Sequence, residues 1–424
     1  MSYRLRIVDA LLDRLCADLP ALALEGARGV GKTATASRRA QTILALDDEA
    51  ELGLTSANPA RITALARPLL IDEWQLVPTV WDRVRRAVDA GAKPGDFLLT
   101  GSATPTDAPR HSGAGRIVRV RMRPMSLVER NVTEPTVSLA ELLTGSQPGV
   151  GGESRMRLAD YAEEITASGF PAIRRVPARS RADALGGYLD EVLERDLPGL
   201  GVGIRTPGTL RQWLRAFAAS TAQVTAYDTI TKAATPGDEQ MPSKATTIAY
   251  REALEQLWLL EELPAWLWGR TSINDLAVAP KHHLTDPALA TRLLGVSAAA
   301  LLDHPNPDGQ MIPRKGPLIG AMFESLATLC VRVYADACGA QVSHLRTHRG
   351  EREVDLIVER NDGRVVAIEI KLDGTVDNSD VKHLRWLRDK LGDIVLDTVV
   401  ITTGPGAYRR EDGVAVVPLA LLGP

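Results

Sequence analysis

Apolar positions along this chain recur in short unbroken runs, in strict alternation, and at helical spacing, and each pattern occupies its own stretch. Unbroken runs at Ala21–Leu24, Leu69–Ile71 and Phe97–Leu99, each ended by acidic, glycine or hydroxyl residues, read as buried strands. The first leads through a glycine-rich turn into residues 34–46, ATASRRAQTILAL, which predict a helix. Between 117 and 123, Ile117, Val118, Val120 and Met122 interleave with Arg119, Arg121 and Arg123, predicting a half-exposed strand with a basic face. Residues 131–160, rich in Gly, Ser, Thr and Pro, read as a linker. Helical spacing returns at 181–196, 208–219, 225–231 and 243–260, the last with Ser243 as N-cap. Farther on, 316–334 is a mostly apolar helix, and 353–358 and 365–372 are strands joined at the hairpin signal Asn361-Asp362-Gly363. A helix over 380–391 and a strand over 398–402 close the pattern.

Chemistry attaches first to the glycine-rich turn. Gly26-Ala27-Arg28-Gly29-Val30-Gly31-Lys32-Thr33 fits the phosphate-binding pattern G-x-x-x-x-G-K-[ST], with a strand before it and a helix after. Gly26, Gly29 and Gly31 let the backbone N–H groups from Val30 to Ala34 curl around phosphates, and the helix N-terminus adds its positive end. Lys32 reaches the β- and γ-phosphates, and the Thr33 hydroxyl coordinates Mg²⁺. The strand ending in Asp72-Glu73 supplies the Walker B partners, Asp72 for the metal and Glu73 to polarise the attacking water. Thr100 and Ser102, at the end of the next strand, are sensor candidates for the γ-phosphate. Arg116, after the Gly113–Gly115 turn, is a candidate arginine finger.

The ordered set GARGVGKT, LLIDE, LLTGS and GR-(x)7-PMSLVE resembles the prokaryotic AAA-type ATPases that carry a C-terminal domain of unknown function. Leu46-Asp47-Asp48, Gly169-Phe170-Pro171, the stretch Tyr188–Asp196 and Leu284-Thr285-Asp286-Pro287 fit the same family. The resemblance implies ATP binding and leaves the biological task open. In the middle block, three helices and an extended segment around Trp266 and Trp268 resemble a winged helix. In its DNA-binding form that fold would present Lys244, Thr246, Thr247 and Arg251 to a major groove. Nearby Glu252, Glu255, Glu261 and Glu262 offset those groups, and Trp258, Trp266 and Trp268 suit packing better than base stacking.

Glu324 stands alone inside an apolar helix, and an unpaired buried carboxylate is expensive, so it demands a partner. Asp355, Glu369 and Lys371 with Glu324 resemble the PD-(D/E)XK nuclease core. That resemblance makes Asp355 and Glu369 ligands of Mg²⁺ or Mn²⁺, Glu324 their assistant, and Lys371 the group that orients water. His344, His348 and His383 do not have metal-site spacing.

Composition narrows the classes. The chain has 424 residues, 45% of them apolar and 24% charged, which are globular values and exclude wholesale disorder. With 50 Lys and Arg against 53 Asp and Glu, a globally basic nucleic-acid coat is excluded. Cys16, Cys330 and Cys338 form neither a disulfide framework nor a zinc spacing. No secretory leader and no apolar run of membrane length is visible, so the expectation is a cytoplasmic protein without a membrane partner. The expected fold class is α/β: a P-loop AAA+-type domain over 1–130, a linker, a winged-helix-like block over 161–300, and a nuclease-like domain over 310–424. The leading function is ATP hydrolysis coupled to a nucleic-acid-directed module. Its rival is a nucleotide-dependent switch or scaffold that only binds a partner. ATP, DNA or another nucleic acid, and further copies of the chain are the candidate partners.

Overall fold

The computed structural model describes residues 3–104, 113–200, 207–235, 241–267, 279–302, 304–305, 311–312, 316–347 and 350–424. Five parallel strands, β1 (Ala21–Glu25), β2 (Thr42–Ala45), β3 (Leu69–Asp72), β4 (Phe97–Gly101) and β5 (Val118–Arg121), pair in the order β2-β3-β4-β1-β5. Helices on both faces explain why β1, β3 and β4 read as continuous apolar runs: Leu22 and Leu24 enter one core while Ala21 and Ala23 enter the other. The helix expected over 34–46 is shorter. After Lys32–Ala36 and one 3-10 turn, Thr42–Ala45 becomes β2, because pairing with Leu69–Asp72 overrides a weak helical preference. The C-terminal ends of β1, β3 and β4 emerge on one edge, so the three loops that carry the Walker residues share it.

The stretch expected as a linker is held. Strand β6 (Val137–Ser138) pairs with β15 (Leu422–Gly423), Leu139 and Leu142 are buried, and Arg360 donates to the Leu143 carbonyl at 2.8 Å. Polar composition there reflects turns on the surface of the C-terminal block. Helices Pro207–Ala219, Tyr227–Ala234 and Lys244–Gln256 form the middle block, followed by antiparallel bridges Leu260↔Leu284 and Leu263↔Lys281. Ser243 caps the last helix, as expected. A short pair, β7 (His304–Pro305) and β8 (Met311–Ile312), precedes the final block.

That block opens with the 23-residue helix Gly316–Cys338. It is apolar and long enough to cross a membrane, yet Met322, Phe323, Leu326 and Val331 are buried inside the protein, as in a core helix. Strands β9 (Gln341–Arg346), β10 (Glu353–Glu359) and β11 (Val365–Ile370) run antiparallel. Helix Lys382–Leu391 then leads to β12 (Val395–Thr402), parallel to β11, and β13 (Tyr408–Arg409) and β14 (Ala415–Pro418) complete the sheet. One continuous apolar core runs from Leu12 through Phe217 and Phe323 to Leu422, joining all three blocks.

Candidate functional site

The loop after β1 has the shape its glycines predict. Gly29 and Gly31 adopt φ of 82° and 103°, a region closed to most side chains. Gly26 is required for space: a Cβ there would lie 2.2 Å from the Met122 carbonyl oxygen. Gly26→Ala is therefore expected to lower stability by about 1–3 kcal/mol, and a melt indistinguishable from wild type would count against this close approach. Val30 is buried, and its carbonyl accepts a 2.8 Å hydrogen bond from Arg6, while Thr33 and Ala34 are exposed at the helix start.

Lys32 is buried, and its ammonium donates to the carbonyls of Gly26 and Ala27 at 2.8 and 3.0 Å. Burial pulls its pKa down from 10.5 to about 8, opposed by Glu73 and Asp72. A cation held this way gains strongly from phosphate charge. Thr33 Oγ1 donates to Asp72 Oδ1 at 2.9 Å, and the Thr100 hydroxyl donates to the same oxygen. Burial raises the Asp72 pKa and these hydroxyls lower it. Thr33 and Asp72, side by side at the loop, fit the oxygen set that would hold Mg²⁺. Glu73 has φ 54°, which turns its side chain off β3, and its carboxylate accepts from Ser102 Oγ at 2.6 Å and from Gln75 Nε2.

Glu73, Gln75 and Ser102 line a cleft of about 600 Å³ together with Asp47, Arg28, Tyr188, Arg195 and Asp196. That volume suits a nucleotide. Its far wall belongs to the middle block: Arg28 pairs with Asp196 at 2.9 Å, and Tyr188 donates to the Arg28 carbonyl at 3.2 Å. Sequence reading had no signal for Gln75 or Arg28 as wall residues beyond their closeness to the motifs.

Several family motifs prove to be braces. Glu129, in the PMSLVE segment, accepts from Arg6 Nε at 2.8 Å and from the Ser126 N–H at 2.8 Å, and Arg6 reaches on to the phosphate loop. Asp286 accepts from Ser168 Oγ and from the Gly169 N–H, both at 2.7 Å, and also caps the helix Pro287–Leu294.

Arg116 lies two residues before β5, level with the start of β1, roughly 20 Å along the strand direction from the phosphate loop. It pairs with Asp89 at 2.9 Å. The structure does not bring it together with the loop of its own chain. The basic strand face is solvated only at Arg119, whose side chain is exposed, and is covered at Arg121 and Arg123. Arg121 stacks on Trp258 at 4.0 Å, and Arg121, Arg123 and Arg332 converge on Glu261, with Asp336 bound to Arg123. Glu261 supplies the reason: a middle-block carboxylate covers that face.

On the helix Lys244–Gln256, Lys244 is exposed, but Thr246 engages the Ser243 cap, Thr247 is buried and Arg251 pairs with Glu255 at 3.4 Å. Trp266 is buried in the C-terminal core; Trp268 and His348 lie outside the described residues.

In the C-terminal block, Asp355, Glu324, Glu369 and Lys371 do come together. Glu369 and Lys371 are 3.4 Å apart, and Asp355 Oδ2 accepts from the Ile370 N–H at 2.9 Å. The unforeseen member is Lys281, whose ammonium contacts Glu324, Asp355 and Glu353 at 2.8, 2.9 and 3.0 Å. This is the partner that Glu324 required. Burial, with Asp355 beside it, pushes the Glu324 carboxyl up to about 8. Burial and the Asp355 charge also raise Glu369 well above the ordinary range. His383 Nδ1 lies 2.8 Å from the Glu353 carbonyl oxygen, and His344 is buried with Nε2 3.2 Å from the Ala279 carbonyl oxygen. Among the described residues, no group of three or more His, Cys, Asp or Glu side chains is arranged to hold a metal ion.

Comparison with known proteins assigns the first block. The family model of an AAA domain matches residues 18–131. Two domains of unknown function follow, DUF8612 over 158–300 and DUF4143 over 319–422. The chain is 26% identical over 434 residues to uncharacterized proteins of Mycobacterium bovis and Mycobacterium tuberculosis, covering 99% of this chain and 84% of theirs. A Walker-type ATPase of Pyrococcus abyssi has a solved structure with 14% identity and a TM-score of 0.37, covering 67% of this chain and 94% of that one. With the phosphate loop, Asp72 and Thr33 assembled as above, the N-terminal block of this chain is a P-loop ATPase domain.

Proposed function

We propose that this is a cytoplasmic ATP-dependent switch, which binds and hydrolyses ATP with Mg²⁺ in the cleft between the phosphate loop and the middle block. One observation carries the reading: the cleft is built from both sides. Arg28 of the loop is tied to Asp196 and Tyr188, so filling the loop with phosphate competes for the cation that now holds the two blocks together. Lys32 would bind the β- and γ-phosphates, Thr33 and Asp72 would hold Mg²⁺, Glu73 would activate water, and Thr100 and Ser102 would sense the γ-phosphate. Arg116, exposed and far from its own loop, is suited to act only across an interface with another copy.

Lys32→Ala tests the site. Loss of a charge-assisted contact to phosphate is expected to weaken ATP binding about 10- to 100-fold. Unchanged affinity in the folded variant would remove the assignment. Hydrogen exchange over 188–200 tests the switch, which requires a change when ATP–Mg²⁺ is added.

For the C-terminal module we favour binding over cutting. The helix–three strands–helix–strand order and the meeting of Asp355, Glu369 and Lys371 support a nuclease-like fold. The winged-helix-like middle, with Thr247 buried and Arg251 paired, suits packing better than DNA contact. Metal-dependent nicking of plasmid by the purified protein would reinstate the nuclease reading.

A further inference from the structure

The carboxylate cluster of the C-terminal block does not fit a divalent metal as it stands. Asp355 uses both oxygens, Oδ1 for Lys281 and Oδ2 for the Ile370 N–H. Glu324 Oε1 and Glu353 Oε1 face the same ammonium, and Glu369 faces Lys371. We propose that Lys281 is the built-in cation of this cluster: its ammonium takes the position a divalent ion would hold between Glu324 and Asp355 and fastens the middle block to the C-terminal module.

The ammonium is enclosed by acids: it donates to Glu324 Oε1 and Asp355 Oδ1 at 2.8 and 2.9 Å, and Glu353 Oε1 stands 3.0 Å away as a third ion-pair partner. Its side chain is 2% exposed, so the charge sits in a medium where an unpaired ammonium would not persist. Position is enforced from the backbone, since Lys281 N–H donates to the Leu263 carbonyl at 3.0 Å and the Leu263 N–H returns a 2.9 Å bond. Lys281 thus belongs structurally to the middle block while its charge belongs to the C-terminal cleft.

Four carboxylates, Glu324, Glu353, Asp355 and Glu369, face two ammoniums, Lys281 and Lys371. The cluster therefore holds two more carboxyl groups than ammoniums, and the upward shifts of Glu324 and Glu369 let protons offset the difference. Glu369 Oε1 is buried, with Asp355 beside the carboxyl and His383 Nδ1 4.0 Å away. Removing the Lys281 charge alone leaves three carboxylates without their counter-ion and frees Asp355 Oδ1. Such an oxygen-only set is what Mn²⁺ and Mg²⁺ select. Glu353 is the most exposed of the four and gives a route for entry. The inference is independent of ATP hydrolysis.

The test uses full-length, nucleotide-free protein and counts bound Mn²⁺ by electron paramagnetic resonance. Wild type and Asp355→Asn should bind Mn²⁺ identically, because the cluster is already filled. Lys281→Met should gain one site, at least ~tenfold tighter than any in wild type, and Lys281→Met with Asp355→Asn should lose it again. Lys281→Arg keeps the charge and should gain nothing. A wild-type Mn²⁺ site that Asp355→Asn removes would overturn the proposal, as would a folded Lys281→Met protein with no added site. If Lys281→Met fails to fold, the comparison of wild type with Asp355→Asn still decides: equal binding supports the proposal and a loss overturns it.

Discussion

Glu73→Gln protein will bind ATP with near wild-type affinity and hydrolyse it about 10²–10⁴-fold more slowly, the usual effect of removing a general base. The substitution changes chemistry while sparing shape. Glu73 sits at φ 54°, and its carboxylate is steered into the cleft by Ser102 and Gln75. A glutamine amide oxygen can still accept from Ser102, so the side chain stays in place but cannot take a proton. The neighbouring pair Thr33 and Asp72, proposed to hold Mg²⁺, is untouched. ATP affinity by fluorescent-nucleotide competition and turnover by ADP release separate the two effects. Wild-type turnover would move the base to another residue. Equal loss of binding and turnover would mean that Glu73 holds the cleft together instead of activating water. Gln75→Ala, which removes only a positioning contact to the carboxylate, should lower turnover less than Glu73→Gln does.

The phosphate-loop pattern was legible because its signals are local. Gly26, Gly31, Lys32 and Thr33 lie in one short segment, and a parallel sheet brings the ends of β1, β3 and β4 to one edge without further instruction. The C-terminal strands were legible for a similar reason, a hairpin turn at Asn361-Asp362-Gly363 between two apolar runs. What escaped depends on distant partners. Alternation at Arg119, Arg121 and Arg123 reports which residues share a face, and says nothing of what covers it; Glu261 lies 138 positions from Arg123. Lys281 sits in no periodic pattern, and its partners Glu324 and Asp355 are 43 and 74 positions away. Glu324 was recognisable as a buried acid in need of a cation, but the sequence could not say which cation. The segment 131–160 carried loop composition because its backbone runs over a surface, yet Val137 and Leu139 anchor it into the C-terminal core. The motif residues Glu129 and Asp286 stood out by resemblance, and their work is mechanical: each satisfies buried N–H groups that hold the phosphate loop or a helix end.

Glu261→Gln should destabilise the protein by about 3–5 kcal/mol, because it leaves buried guanidiniums without their carboxylate. Three blocks meet at this residue. Arg121 ends the strand beside the phosphate loop and Arg123 follows two residues later, Arg332 comes from the long C-terminal helix, and Glu261 from the segment between them. Arg332 also donates to the carbonyls of Glu261 and Glu262, at 3.2 and 2.6 Å, so backbone and side chain are held by one group. Burial alone would raise the Glu261 pKa, but Arg123, Arg121 and Arg332 outweigh it and bring the carboxyl down from 4.5 to about 2. A depressed pKa means that the ionised form stabilises the folded state. That contribution is complete above about pH 4.5 and is lost as pH falls towards 2. The gap between wild type and Glu261→Gln in urea melts should therefore be widest above pH 4.5 and narrow steadily below it. A gap that stays constant across this range would assign the loss to altered packing. A gap under about 1 kcal/mol at neutral pH, the scale of a surface pair, would mean that the junction is not a buried ionic contact at all. Because Arg121 and Arg123 leave the sheet at its nucleotide edge, Glu261→Gln should also loosen the link between the ATPase block and the C-terminal module. Protease protection of the C-terminal block is then expected to respond to ATP in wild type and not in Glu261→Gln, even in conditions where the variant remains folded.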